Sequence, residues 1–87
     1  MWKTIEMAPK YEISTNGEVR NKTTGLILKD KIDRYGYKVI CLYTENGKKY
    51  PTIHRLVGLA FIPNPENKPV INHIDGNKLN NSISNLE

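Results

Sequence analysis

Cysteine is almost absent from this sequence, and so are long apolar runs. The single cysteine, Cys41, excludes a disulfide framework within the chain and a zinc site built on several cysteines. It lies in an apolar run, where a thiol packs as a small hydrophobic group. No apolar segment is long enough to cross a membrane, and the N-terminus lacks the apolar core of a secretory leader. We therefore expect a cytoplasmic protein with no membrane partner.

The size and charge of the chain limit what it can be. Its 87 residues provide room for one small domain with a modest core, and its formal net charge is +4. Residues 1–50 contain ten Lys or Arg and six Asp or Glu, whereas residues 51–87 contain three of each sign. A basic half beside a neutral, polar half is consistent with a protein that holds a polyanion with one part and acts on it with the other. A charge of this size can also serve solubility alone.

Short apolar runs and tight turns predict a small antiparallel sheet in the N-terminal half. Strands are predicted at 11–14 and 18–21 around an Asn16-Gly17 turn, and at 26–28 after a second turn. Residues 29–36 are charged and are predicted to form a loop. Residues 37–44 carry apolar side chains on both faces, which predicts a central strand that pairs with residues 49–53 after a turn at Asn46-Gly47.

The C-terminal half begins with one short amphipathic helix. It is predicted by apolar residues at helical spacing, namely Ile53, Leu56, Val57, Ala60 and Phe61. Pro63 should end the helix, and Pro65 and Pro69 should keep the next segment extended. Two short apolar runs joined by a polar turn follow. The predicted fold class is therefore α+β, with a small antiparallel sheet, a helix and a hairpin-like motif.

The polar turn between these runs carries the features that indicate a site. His73 ends the first apolar run and lies between Asn72 and Asp75, both possible ligands for a hard cation. Gly76 permits a sharp turn, and the asparagines that follow can pin a loop to its own backbone because an amide both donates and accepts. We call residues 74–82 the His73 loop. An asparagine-rich turn without any site remains the alternative.

The order of these residues resembles the HNH endonuclease family, in the branch found in phage and intron-encoded homing endonucleases. The resemblance is carried by the run Asn72-His73-Ile74-Asp75-Gly76-Asn77-Lys78, by Asn80-Asn81 and Asn85-Leu86, and by the earlier His54-Arg55-Leu56-Val57. The start of the chain, from Trp2 to Asn21, is similar to the small module that often precedes this nuclease. The resemblance implies a basic, β-rich module over 1–50 and a ββα-metal motif over 51–87, packed as one unit.

The resemblance also implies an activity and roles for individual residues. It implies hydrolysis of phosphodiester bonds in double-stranded DNA with one divalent cation, Mg²⁺ or Mn²⁺. His73 would be the general base, a task that suits histidine because its ordinary pKa lies near neutrality. Asn72, where relatives often carry aspartate, would be a metal ligand. Asn85 would hold the catalytic loop, and Asp75 and Asn81 would support it.

In this family a helix that follows the segment corresponding to Asn85-Leu86-Glu87 donates the last metal ligand. The sequence stops at Glu87, so the ββα motif is expected to be truncated before this helix, and metal binding and nicking by these 87 residues are expected to be weak or absent. Two other functions stay open. One is a DNA-binding module without catalysis, or an inactive nuclease fragment, and the other is a structural or protein-interaction domain.

Basic side chains are candidates for contacts with DNA phosphates, which supply most of the affinity in such complexes. The candidates are Arg20, Lys22, Lys29, Lys31, Arg34, Arg55 and Lys78. Each of them alone would be an ordinary solvated residue. His54, beside Arg55, is interpreted as a structural residue held by a hydrogen bond. The sequence specifies neither a target site nor an oligomeric state, and a monomer is favoured.

Overall fold

A computed structural model describes residues 1–63 and 71–87 of the chain. Within these residues the protein has small antiparallel sheets, one α-helix and one 3-10 helix. The strands are β1 Trp2–Thr4, β2 Tyr11–Ser14, β3 Val19–Asn21, β4 Lys31–Ile32, β5 Lys38–Val39, β6 Leu42–Thr44 and β7 Gly47–Lys49. The helix α1 spans Ile53–Phe61, and the 3-10 helix spans Ile83–Asn85. The predicted α+β class is confirmed.

The first three strands form one sheet in the order β1-β2-β3. The predicted strands on either side of the Asn16-Gly17 turn are confirmed, with Ile13 paired with Val19. The Ser14 hydroxyl accepts hydrogen bonds from the backbone N–H groups of Asn16 and Glu18, which closes the turn. Strand β1 was not predicted, because three residues with one apolar side chain give no alternating pattern.

Two predictions for residues 26–36 were wrong. Residues 26–28 form no strand, since only Ile27 makes an isolated bridge to Arg20. The predicted loop 29–36 contains β4, which pairs with β5 in a hairpin. The carboxylate of Asp33 accepts hydrogen bonds from the N–H groups of Tyr35 (2.9 Å) and Tyr37 (3.0 Å). This side-chain to backbone turn stabilises the hairpin, and it depends on one aspartate rather than on an apolar pattern.

The predicted central strand 37–44 is broken in two. Strands β5 and β6 belong to separate two-stranded sheets. Between them, Ile40 donates its N–H to the carbonyl of Pro51 at 3.1 Å, and Val39 bridges Thr52. Strand β6 pairs with β7, where Lys49 lies opposite Leu42. The predicted pairing of this run with residues 49–53 is therefore confirmed at Lys49, Pro51 and Thr52.

Helix α1 is confirmed at the predicted position. The residue after the helix, Ile62, caps it by donating its N–H to the carbonyl of Gly58, and Pro63 follows. A Cβ atom on Gly58 would lie 2.6 Å from Cδ1 of Ile71, so the helix and the segment that leads to His73 approach at this glycine. The prediction for Pro65 and Pro69 lies outside the described residues.

One buried cluster joins the N-terminal strands, the helix and the end of the chain. Its members are Ile5, Ala8, Tyr11, Ile13, Val19, Ile40, Leu42, Ile53, Leu56, Val57 and Leu86. Such a cluster is the main stabilising feature of a domain of this size. The division of the chain at residue 50 stays a prediction. Among the described residues, no helix is long and apolar enough to cross a membrane.

Candidate active site around His73

A short antiparallel ladder places His73 against the core. His73 bridges Leu86, and the N–H of Ile74 donates to the carbonyl of Asn85 at 2.8 Å. Asn72 and Glu87 exchange two backbone hydrogen bonds, at 3.0 and 3.1 Å. Because Leu86 is buried in the core, the ladder fixes the backbone of His73 relative to the rest of the domain.

Asn85 joins three points of the structure around the His73 loop. Its side chain is buried, and its Oδ1 accepts the N–H of Asp75 at 3.1 Å. Its Nδ2 donates to Oδ1 of Asp75 and to the carbonyl of Asn80, both at 2.9 Å. The carboxamide has both a donor and an acceptor end in use, so no carboxylate or hydrocarbon of similar size could replace it.

The carboxylate of Asp75 accepts hydrogen bonds from other residues of the His73 loop and from Asn85. Its Oδ1 accepts the N–H of Asn77 at 2.7 Å in addition to the bond from Asn85, and its Oδ2 accepts Nδ2 of Asn80 at 3.1 Å. The backbone N–H of Asn77, and then the side chains of Asn85 and Asn80, lower the pKa of Asp75 below its ordinary value. The group is therefore an anion that organises the loop.

Asn81 holds the imidazole of His73. Its Oδ1 lies 2.7 Å from Nε2 of His73, and its side chain is only 4% exposed. In this orientation of the amide the oxygen can only accept, which places the proton of the neutral ring on Nε2 and the lone pair on Nδ1. Nδ2 of Asn81 is buried and has no hydrogen-bond partner among the described residues. Gly17, at φ +83°, lies behind Asn81, where a Cβ atom would come within 3.0 Å of Asn81 Cβ. The turn between β2 and β3 thus supports the residue that orients His73.

Two aromatic rings complete the surroundings of His73. The ring of His54 lies 5.0 Å from that of His73 between centroids, and Tyr37 lies 4.9 Å from His54 and 6.1 Å from His73. Nδ1 of His54 is buried and has no hydrogen-bond partner among residues 1–63 and 71–87. Nδ1 therefore does not make the hydrogen bond predicted for His54, and the ring packs between those of Tyr37 and His73. Sequence reasoning missed both contacts because these residues are far from His73 along the chain.

The environment of His54 disfavours its charged form. Burial, and then the positive charges of His73 and Arg55, lower the pKa of His54, while Asp33 opposes them. His54 is therefore neutral at neutral pH.

The basic residues divide into those engaged within the fold and those directed to solvent. Arg20 pairs with Glu12 at 2.9 Å and lies over the ring of Trp2 at 3.9 Å. Lys22 donates to the hydroxyl of Thr4. These two side chains are used inside the first sheet, which leaves them less free to reach a ligand.

The remaining basic candidates are exposed. Lys78 donates from Nζ to the carbonyl of Tyr35 at 2.8 Å and lies 4.8 Å from the ring centroid of Tyr37, so it joins the His73 loop to the β4–β5 hairpin. Arg55 is exposed on α1 next to His54. In the part of the chain that the structure describes, no ion pair engages the exposed side chains Lys29, Lys31 and Arg34.

Asn72 is the candidate ligand for a metal ion. Its side chain is exposed and forms no hydrogen bond among the described residues, so its amide oxygen is free to bind. Asp75 accepts hydrogen bonds on both of its oxygens within the loop, which is consistent with its predicted role in loop support. The described residues contain no group of three or more His, Cys, Asp or Glu that could hold a metal. The residues present fit an ion held jointly by Asn72, water and a ligand phosphate.

The loop-held histidine on a short ladder lies in the part of the chain that matches a family of nucleases. Residues 52–87 match the HNH endonuclease family, and residues 1–43 match the NUMOD4 motif. The part of the chain that contains His73 therefore matches the HNH endonuclease family, and the part before it matches the NUMOD4 motif. Members of this family generally depend on a divalent metal ion.

Individual relatives cover the whole chain. It is 49% identical to the uncharacterized HNH endonuclease L245 of Acanthamoeba polyphaga mimivirus, over 99% of this chain and 26% of that protein. It is 38% identical to the DNA endonuclease I-HmuI of Bacillus phage SP01, over 98% of this chain and 49% of that protein. A solved structure of I-HmuI, described as showing DNA binding and cleavage, superposes with a TM-score of 0.87 at 38% identity, covering 99% of this chain and 50% of that one. The chain thus spans half or less of the length of these relatives.

Proposed function

We propose that this chain is the nuclease-bearing part of a homing-type endonuclease that hydrolyses phosphodiester bonds in double-stranded DNA, with His73 as the general base. The observation that carries the proposal is the 2.7 Å contact between Nε2 of His73 and Oδ1 of Asn81. It leaves Nδ1 of a neutral imidazole free to accept a proton from the attacking water. The similarity to I-HmuI, whose structure is described as one of DNA binding and cleavage, supports DNA as the substrate.

The surroundings of His73 support a base that gains a positive charge during the reaction. After His73 accepts the proton at Nδ1, the oxygen of Asn81 still accepts from Nε2 and stabilises the imidazolium. His54 is held neutral by its burial, so it does not add a second charge 5.0 Å away. Asn85 and Asp75 keep the loop in one conformation, so the base does not have to be ordered when DNA binds.

Asn72 would hold the divalent ion, Mg²⁺ or Mn²⁺, through its amide oxygen. When bound, such an ion supplies Lewis-acid chemistry at the phosphate and at the leaving oxygen. A neutral amide is a weaker ligand for these cations than a carboxylate, so the affinity of this chain for the ion is low. Arg55, next to His54, and Lys78, over the ring of Tyr37, would contact the phosphates on either side of the cleaved bond.

A second candidate function is DNA binding without cleavage. It is favoured by the absence, among residues 1–63 and 71–87, of any group of three metal-binding side chains. Both candidates predict binding that weakens steeply as the salt concentration rises, because exposed Lys and Arg displace counterions from the phosphates. They differ in whether the bound DNA is cut.

The proposal is tested by nicking of supercoiled plasmid, with the protein in excess and with Mg²⁺ or Mn²⁺ against a chelator. We expect slow, metal-dependent nicking that His73→Ala abolishes, while both proteins bind a labelled duplex equally at low salt. Unchanged nicking by His73→Ala would refute the assigned base. Binding without nicking by either protein would favour the second function, and no binding even at low salt would exclude both.

A further inference from the structure

The net charge of the protein is concentrated in one short segment. Residues 20–38 contain six Lys or Arg and two Asp, a net charge of +4, and the rest of the chain balances with seven of each sign. The β4–β5 hairpin lies inside this segment. The hairpin itself, residues 31–39, contains three Lys or Arg and one Asp, a net charge of +2 that favours the approach of a polyanion.

The tip of the hairpin has a fixed backbone. Asp33 accepts the N–H groups of Tyr35 and Tyr37 through its carboxylate, and its carbonyl accepts the N–H of Gly36 at 3.1 Å. Gly36 adopts φ +85°, a conformation that favours glycine, and the carbonyl of Tyr35 accepts the bond from Lys78. Both backbone polar groups of Tyr35 are therefore engaged.

The side chains at this tip, in contrast, are directed to solvent. Tyr35 is 62% exposed and Ile32 is 59% exposed. The hydroxyl of Tyr35 makes no hydrogen bond to any of the described residues, and the guanidinium of Arg34 lies 5.2 Å from the centre of its ring. A rigid backbone that presents an exposed aromatic ring with a cation beside one of its faces resembles the platforms on which nucleobases stack.

The tip also lies next to the candidate active site. Lys78 of the His73 loop is bonded to Tyr35 and covers Tyr37, and the Tyr37 ring is 6.1 Å from that of His73. A ligand that occupies the site at His73 therefore lies within reach of the hairpin tip. The β6–β7 hairpin carries a similar ring, since Tyr43 is 60% exposed with Nζ of Lys48 at 5.5 Å, but none of the described contacts joins it to the His73 loop.

We propose that the tip of the β4–β5 hairpin is a base-stacking element. Tyr35 packs against the face of a nucleobase at a step where the bound duplex is opened, and Arg34 and Lys31 neutralise the neighbouring phosphates. The inference rests on the proposed function for the presence of DNA, and it adds that the protein distorts the duplex beside the bond at His73. An aromatic wedge of this kind gains its stacking energy at the expense of base-pair stacking, so it favours DNA that is already unstacked.

The test compares Tyr35→Ala with the matched variant Tyr43→Ala by fluorescence anisotropy of labelled DNA. Two duplexes are used, one fully paired and one with two adjacent mismatched pairs at its centre. We expect the native protein to bind the mismatched duplex more tightly. Tyr35→Ala should weaken binding about 5- to 150-fold, the range for loss of one stacking aromatic, and should remove the preference. Tyr43→Ala should change neither, and Tyr35→Phe should behave as the native protein because the hydroxyl is unused.

Equal effects of the two alanine variants, or unchanged binding by Tyr35→Ala, would overturn the stacking role while the proposed function stands. Unchanged DNA binding by Tyr35→Ala would also indicate that the exposed tip binds a protein partner rather than DNA. Failure of the native chain to bind either duplex at low salt would overturn both this inference and the proposed function. Both tyrosines are exposed, so thermal unfolding of the variants should match the native protein and exclude misfolding as the cause.

Discussion

The carboxamide oxygen of Asn81 lies 2.7 Å from Nε2 of His73, and this contact determines which ring nitrogen is available as a base. Asn81 is itself buried and held from behind by the turn at Gly17. Asn81, which orients the His73 ring and selects its tautomer, is therefore positioned by the turn of the N-terminal sheet.

Removing the acceptor at position 81 should impair the base without preventing DNA binding. Asn81→Leu has a similar size but no acceptor, so we expect nicking to fall about tenfold or more, in line with the typical contribution of a positioned base. Asn81→Asp keeps an acceptor oxygen and should retain more activity. The direct readout is the ¹⁵N chemical shifts of the neutral His73 ring, which should report the Nε2–H tautomer in the native protein and a mixture in Asn81→Leu. A native ring protonated on Nδ1 would contradict the assignment.

A carboxylate at position 72 should strengthen metal binding. Because Mg²⁺ and Mn²⁺ prefer charged oxygen ligands, we expect Asn72→Asp to bind Mn²⁺ roughly tenfold more tightly, about 1.4 kcal/mol, and to nick faster. Isothermal titration calorimetry measures the first effect and the plasmid assay the second. Asn77→Asp is the matched control, since it adds the same charge in the same loop, where its oxygen can keep the bond to the N–H of Leu79. Equal gains in both variants would indicate general electrostatic attraction instead of a ligand at position 72.

A methyl group at Gly58 should destabilise the domain by about 1–3 kcal/mol, the usual cost of overpacking. Alanine is favoured over glycine in a helix by about 1 kcal/mol, but its Cβ would lie 2.6 Å from Cδ1 and 2.9 Å from Cγ1 of Ile71. The clash should outweigh the higher helix propensity of alanine, so Gly58→Ala should lower the free energy of unfolding. Urea unfolding of Gly58→Ala, Ile71→Ala and the double variant measures the coupling.

In the Ile71→Ala background the clash is gone, so Gly58→Ala should there be neutral or stabilising. An equal loss of stability in both backgrounds would mean that the close approach between α1 and Ile71 does not limit this position. Leu59→Ala, at a helix position that is 74% exposed, serves as the control for a change in the same turn.

The stability of the protein should fall as the pH is lowered below the ordinary pKa of histidine. The folded state lowers the pKa of His54, so between the folded and unfolded pKa values the unfolded chain binds the extra proton. Stability is therefore fully present above the unfolded pKa and decreases as the pH falls toward the folded pKa.

Urea unfolding at pH 8 and pH 5.5 measures this loss, and we expect it to be smaller in His54→Phe, which keeps an aromatic ring between Tyr37 and His73. Asp75, whose pKa is also lowered, acts only at lower pH, below the ordinary range of a carboxyl, and does not interfere. An unchanged pH dependence in His54→Phe would assign the effect to another group.

The sequence alone determined the fold class, the helix and the family. These depend on local signals that tertiary contacts rarely override: helical spacing from Ile53 to Phe61, a tight turn at Asn16-Gly17, and the ordered residues around His73. Local patterns failed where pairing was decided by distant partners. The run 37–44 alternates like one strand, but its first part also pairs with β4, a strand that no local pattern indicated, and the run forms the two short strands β5 and β6.

Only the tertiary structure decided which residues surround the histidine. Tyr37, His54 and Asn81 meet His73 because the β4–β5 hairpin, the helix and the loop converge on one core, a convergence that no spacing in the sequence encodes. The same packing engages Arg20 and Lys22 in the first sheet and leaves Arg34 and Tyr35 directed to solvent. The residue types determine which chemical groups the protein has, whereas burial and distance determine which of these groups lie close enough to act on His73.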